Sequence, residues 1–190
     1  LYFIGLRTAG LLATGLAAGL LCFGKSFITL WVGEDYVTGS WMLRSDIVLL
    51  ILLSAELPRL LQGASRQFLY GTGRIRFMMW LNLTEAIANL SLSLLLVQKF
   101  QLAGVAFGTL LPLLVSHGIV LPAYMLRVLD ISPGEFFLKG VGRPLLVGAL
   151  LVAVAMTIVR LFPPGSWTVF FRDVALTATI GGLLAWGVGL

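Results

Sequence analysis

Charge is what this 190-residue chain has least of. Asp, Glu, Lys and Arg together make up 11% of it, against about 25% in soluble domains. So few charges cannot coat a soluble surface, and 59% of the residues are hydrophobic. Cysteine is almost absent: Cys22 stands alone in an apolar run, which excludes a disulfide framework, a CxxC pair and cysteine metal spacing. It reads as a small buried hydrophobe. No HExxH, no phosphate-cradling GxxxxGK and no Ser/His/Asp constellation occurs, so hydrolytic or nucleotide-driven chemistry has no support, and neither an enzyme nor a cofactor is expected. The formal charge of +5 comes from basic residues scattered over short stretches. It does not form the dense basic stripe, interleaved with aromatics, that nucleic acid requires.

Apolar runs near the roughly 20 residues that a helix needs to cross hydrocarbon are what the sequence does have. Six emerge, at 1–23, 41–71, 75–98, 102–127, 144–162 and 168–190, separated by stretches with Gly, Pro or charge; they are called segments A to F. Each is expected to be helical, because lipid offers backbone amides no hydrogen-bond partner, and the period-2 alternation of a transmembrane barrel is absent. The fold expected is therefore an all-α membrane protein with six transmembrane helices. Leu1 opens inside one apolar run and Leu190 closes inside another, so the sequence reads as a segment of a longer chain. Segment A has no cleavage motif and reads as a span, not a signal peptide.

Orientation follows from where the basic residues fall. With Leu1 cytoplasmic, that side receives Arg7, Arg66, Arg74, Arg76, Arg127, Lys139 and Arg143, and the other receives Lys25, Arg44, Lys99, Arg160 and Arg172. The Lys/Arg excess favours this arrangement. In segment A, Gly15 and Gly19 form a GxxxG step, a close-packing signal read first as a contact within the bundle and second as a dimerisation face. Residues 24–31 are expected to form a short interfacial helix with Phe27 and Trp31 at headgroup level.

Charges at bilayer depth cost roughly 2.5–3.5 kcal/mol each, so each needs a reason. In segment B, Glu56, Arg59, Gly63, Arg66 and Tyr70 fall within about 80° of one helical face. Pro58 between them predicts a kink. Two readings stand: a transport cavity lined by this face, or a structural Glu56–Arg59 pair at i, i+3. In segment C, Asn82, Glu85, Asn89 and Ser93 share a face. Glu85 has no cation within reach on its own helix, so it needs a partner from another helix, for which Arg59 or Arg66 is the candidate, a water-filled cavity, or a proton. Segment D carries Gly108, Pro112, Gly118 and Pro122, which suggest a flexible or broken helix. It also holds His117, either a proton relay or a satisfied bundle residue.

Three stretches in order carry a family resemblance. Phe23–Tyr36 (FGKSFITLWVGEDY), Leu57–Phe77 (LPRLLQGASRQFLYGTGRIRF) and Glu85–Pro112 (EAIANLSLSLLLVQKFQLAGVAFGTLLP) resemble the later part of an oligosaccharide or polysaccharide flippase of the multidrug/oligosaccharidyl-lipid/polysaccharide (MATE-like) exporter superfamily. The resemblance covers residues 1–130 and continues to 190 by hydropathy alone. It implies that 1–130 are the last four helices of the second lobe, 131–143 a cytoplasmic linker and 144–190 two additional spans. It also implies alternating access that moves a polyprenyl-linked sugar across the cytoplasmic membrane, coupled in some members to an ion gradient, with an N-terminal lobe of the same polypeptide as partner. The substrate-cavity candidates are then Glu56, Arg59, Arg66, Asn82, Glu85 and Asn89, and the proton or ion coupling candidates Glu56, Glu85 and His117. The alternatives are a drug/cation antiporter of the same superfamily, which would want an acidic cavity, and a non-transporting membrane scaffold of polysaccharide assembly.

Overall fold

A computed structural model describes residues 2–189; Leu1 and Leu190, the outer limits expected for segments A and F, lie outside them. All regular structure among the described residues is helical. Eight α-helices follow in order: α1 Tyr2–Trp31, α2 Ser45–Leu61, α3 Gly63–Gly71, α4 Ile75–Val115, α5 Leu121–Leu129, α6 Pro133–Phe136, α7 Gly142–Leu161 and α8 Trp167–Leu184. Four helical stretches are long and apolar enough to cross a membrane, or five when α2 and α3, bent by 42°, count as one.

One of those stretches, Ile75–Leu129, has 55 residues. Straight, it would reach about 80 Å, far beyond a hydrocarbon core of about 30 Å. It is not straight. Gln101 leaves the helical region (φ 51°, ψ −128°) and reverses the chain. A Cβ on Gly104 would collide with the backbone of Leu96 and Val97, and one on Gly108 with the backbone of Ser93. Further along, Phe77 stacks on Tyr124 at 3.7 Å, and Leu69, Met78, Leu81, Leu121 and Met125 form one buried cluster. Contacts whose residue numbers rise on one side as they fall on the other mark an antiparallel hairpin, its arms 75–100 and 102–129.

The same logic gives the other directions. Tyr2 bonds Ser65 (2.8 Å), and Gly10 and Gly24 abut Leu61 and Leu49, so α1 and α2–α3 run antiparallel. Gly10 and Thr14 of α1 meet Pro144 and Gly148 of α7, so these two run parallel. Phe23 and Phe27 meet Phe170 and Trp167, so α8 runs against α1.

Several boundaries differ from expectation for local reasons. Residues 24–31 continue α1 without a break; the Phe27 and Trp31 rings meet at a tilt of 56° and Phe27 also meets Trp167. Segment B bends at Gln62, four residues beyond Pro58, which sits inside α2. There Gln62 Oε1 accepts from the Ser65 hydroxyl at 2.6 Å, and Gly63, a weak helix former, follows. Segment D is not broken. It passes through a π-turn, Ser116–Val120, where the Leu121 N–H bonds the Ser116 carbonyl. The wider turn accommodates Pro122, which has no N–H for the carbonyl four residues back. Most of 131–143 is helical: Asp130 ends α5 in a left-handed conformation. Ser132 then caps the next helix by accepting the Glu135 N–H at 3.1 Å, with Pro133 in its first turn.

Candidate functional site

Three helical stretches bring charge together. Glu85, ten residues into α4, lies about 15 Å from its start, near mid-core if that arm crosses a membrane. Across the hairpin the π-turn turns Ser116 and His117 toward it. The Ser116 hydroxyl donates to Glu85 Oε2, and His117 Nε2 lies 3.2 Å from the same oxygen. His117 is 1% exposed and Ser116 is buried, so the carboxylate, itself 18% exposed, accepts the Ser116 hydroxyl and sits beside the imidazole in a largely enclosed setting, where polar interactions are strengthened. If Nε2 carries the hydrogen, Nδ1 is an acceptor. It is buried and has no partner.

On α2, Arg59 Nη1 donates to both Glu56 oxygens, at 3.0 and 3.3 Å, the pairing expected at i, i+3. Both side chains remain more than 40% exposed. Arg66, on α3, has a buried Nε without a partner. The helix α2 that carries Glu56 and Arg59 packs against α4 and the π-turn that carry Glu85 and His117, with cations on the α2–α3 side and the Glu85–His117 pair on the hairpin side.

The partner expected for Glu85 was Arg59 or Arg66, and the structure corrects this. His117 and Ser116 take that role, because the hairpin puts position 85 directly opposite 116–117. Asn89 and Ser93 belong to the hairpin seam: the Ser93 hydroxyl donates to Asn89 Oδ1 at 3.2 Å, and Ser93 lies against Gly108. Asn82 is exposed on α4, away from the Glu85 contacts. Sequence reasoning missed Ser116, which lies inside segment D beside His117. Asp173, in α8, is fully buried.

The cluster can do two things. A carboxylate–imidazole pair can hold or exchange a proton, and guanidinium groups with free N–H bonds can take an anionic oxygen. No group of three or more His, Cys, Asp or Glu side chains among the described residues is arranged to hold a metal. No protein-family model, no curated protein and no solved structure matches the chain.

Proposed function

We propose that this chain is the second-lobe portion of a MATE-like membrane transporter. Six helices cross the cytoplasmic membrane, and the protein flips a lipid-linked oligosaccharide or polysaccharide precursor by alternating access. Support for six crossings comes from the reversal at Gln101 and from helix directions that alternate along the chain. Support for transport comes from one observation above the others: α2, which carries the Glu56–Arg59 pair, packs against the hairpin that holds the Glu85–His117 pair, with Arg66 following on α3. A polyprenyl pyrophosphate headgroup leaving water needs cations and N–H donors, and Arg59 and Arg66 supply them. The Glu85–His117 pair supplies a place for a coupling proton.

The test is a leaflet-translocation assay on the full-length protein in vesicles, with a fluorescent polyprenyl-pyrophosphate oligosaccharide. Arg59→Ala and Arg66→Ala are expected to slow translocation at least tenfold, and Glu56→Gln and Glu85→Gln to weaken its dependence on a proton gradient. Wild-type rates in all four variants at normal expression would discard the cavity. A second reading, a drug/cation antiporter, is favoured by the partly buried acid Glu85; export of a cationic dye that survives Arg59→Ala and Arg66→Ala would select it.

A further inference from the structure

Nothing lies within 4 Å of a Cβ built on Gly15 or Gly19. The GxxxG step expected to pack within the bundle instead faces an apolar groove between α1 and α8, and Gly10 and Gly148 mediate the close α1–α7 approach. No charged residue lines that groove, so it names no occupant. A second crevice, of about 630 Å³, does. It opens where α7 begins and where the helical turn Ala185–Gly189 continues α8. Phe137, Leu138 and Leu146 line it from the α7 side and Gly187 and Val188 from the α8 side, with Arg143 among them.

Depth and charge together identify the ligand. Arg143 and Arg160 stand near opposite ends of α7 with an uncharged stretch between them, about 25 Å apart along the helix. With α7 across a hydrocarbon core of about 30 Å, each guanidinium reaches a headgroup layer by extending along its own stem. In the proposed orientation the Arg143 end is cytoplasmic. The charges there are unbalanced. Lys139, one turn before Arg143, is paired with Glu135 at 2.7 Å. Arg7 of α1 donates through Nε to the Lys139 carbonyl at 2.6 Å, which holds a second guanidinium beside the same turn. Among the described residues, neither Arg7 nor Arg143 forms an ion pair, and Arg143 is exposed. Two uncompensated cations therefore stand at the head of a crevice with apolar walls.

A free phosphate would answer the charge and leave Leu146 and Val188 bare. A zwitterionic lipid would cover the walls but bring a cation of its own toward Arg7. An anionic phospholipid meets both demands: its phosphate takes charge-assisted hydrogen bonds from Arg143, and its acyl chain lies between Leu146 and Val188. Basic pockets between membrane helices on the cytoplasmic side take headgroups in this way. We propose that the crevice between the start of α7 and the end of α8 holds an anionic phospholipid, with Arg143 binding its phosphate and Arg7 adding to the preference for negative charge. The inference rests on α7 and α8 crossing a membrane and not on transport.

The experiment uses the full-length protein in phosphatidylcholine vesicles doped with either a phosphatidylglycerol or a phosphatidylcholine that carries a diazirine on one acyl chain. After irradiation, adducts are located by peptide mass mapping. Phosphatidylglycerol is expected to label the crevice walls, at Leu146 or Val188, about fivefold more than phosphatidylcholine does. Arg143→Gln, at an exposed position, lowers the phosphatidylglycerol yield about fivefold, the scale of one cation at a membrane surface. Arg160→Gln, at the other end of α7, leaves it unchanged. Gly187→Leu, at a position where a Cβ meets nothing within 4 Å, fills the crevice and lowers labelling by both lipids. Equal yields from the two lipids, or a phosphatidylglycerol yield indifferent to Arg143→Gln, overturn the proposal. So does loss of the adduct to excess inorganic phosphate, which would make the ligand a free anion, and so does an absence of wall adducts, which would mean that protein covers the crevice. Translocation plays no part in this readout, so its outcome is separate from that of the flippase assay.

Discussion

At the scale of single residues, Glu85 shows what a charge between packed apolar helices needs. Its carboxylate is largely withdrawn from solvent, accepts from the Ser116 hydroxyl and lies against His117 Nε2. Removing a donor is more damaging than neutralising the acceptor, since a buried ion left short of partners bears its full desolvation cost. His117→Leu should therefore destabilise the protein by roughly 1–3 kcal/mol. Glu85→Gln, which keeps an acceptor for His117, should cost under about 1 kcal/mol on the same scale. Thermal unfolding in detergent checks the order, and equal losses would contradict this account of the pair. Gln101 is a residue of the opposite kind. Its positive φ belongs to a region that favours glycine and costs other residues about 1–3 kcal/mol. Gln101→Gly is expected to raise the unfolding midpoint, and a lowered midpoint would mean that its side chain holds the reversal together.

At the scale of elements, glycines with similar sequence settings have opposite roles. A methyl on Gly108 would strike the Ser93 backbone, whereas one on Gly15 meets nothing within 4 Å. Gly108→Ala should force the hairpin arms apart and unfold the chain at markedly lower temperature. Gly15→Ala should leave the midpoint unchanged or raised, since alanine favours helix by about 1 kcal/mol. Similar losses from both would mean that the groove is filled within the chain. No sequence signal separates these two glycines, because both sit in GxxxG steps, at 15/19 and 104/108. The apolar runs were legible as helices, since hydropathy is local, whereas the single face expected for segment B is divided by the bend at Gln62. The partner of Glu85 was not legible, because it depends on the register of a hairpin set by one residue, Gln101. The π-turn that aims His117 was also hidden: Pro122 signals disturbance without saying whether the helix breaks or widens.

At the scale of the whole molecule, the helix directions make a claim about sides. The antiparallel pairs α1 with α2–α3, arm 75–100 with arm 102–129, and α1 with α8, together with the parallel pair α1 and α7, are those of a chain crossing back and forth. Gly73 and Asp130 should then lie on one face of the membrane and Gln101 and Gly165 on the other. The orientation proposed from the Lys/Arg distribution puts the first face in the cytoplasm. Single cysteines at these four positions, in a Cys22→Ser background, can be challenged with a membrane-impermeant maleimide on intact cells. Labelling of 101 and 165 alone is the expected result; labelling of 73 and 130 alone would invert the orientation while keeping the crossings. Labelling of 101 together with 73 would put both ends of the first hairpin arm on one side. That arm would then not cross, and Glu85 would lose the mid-membrane depth on which its proposed coupling role depends.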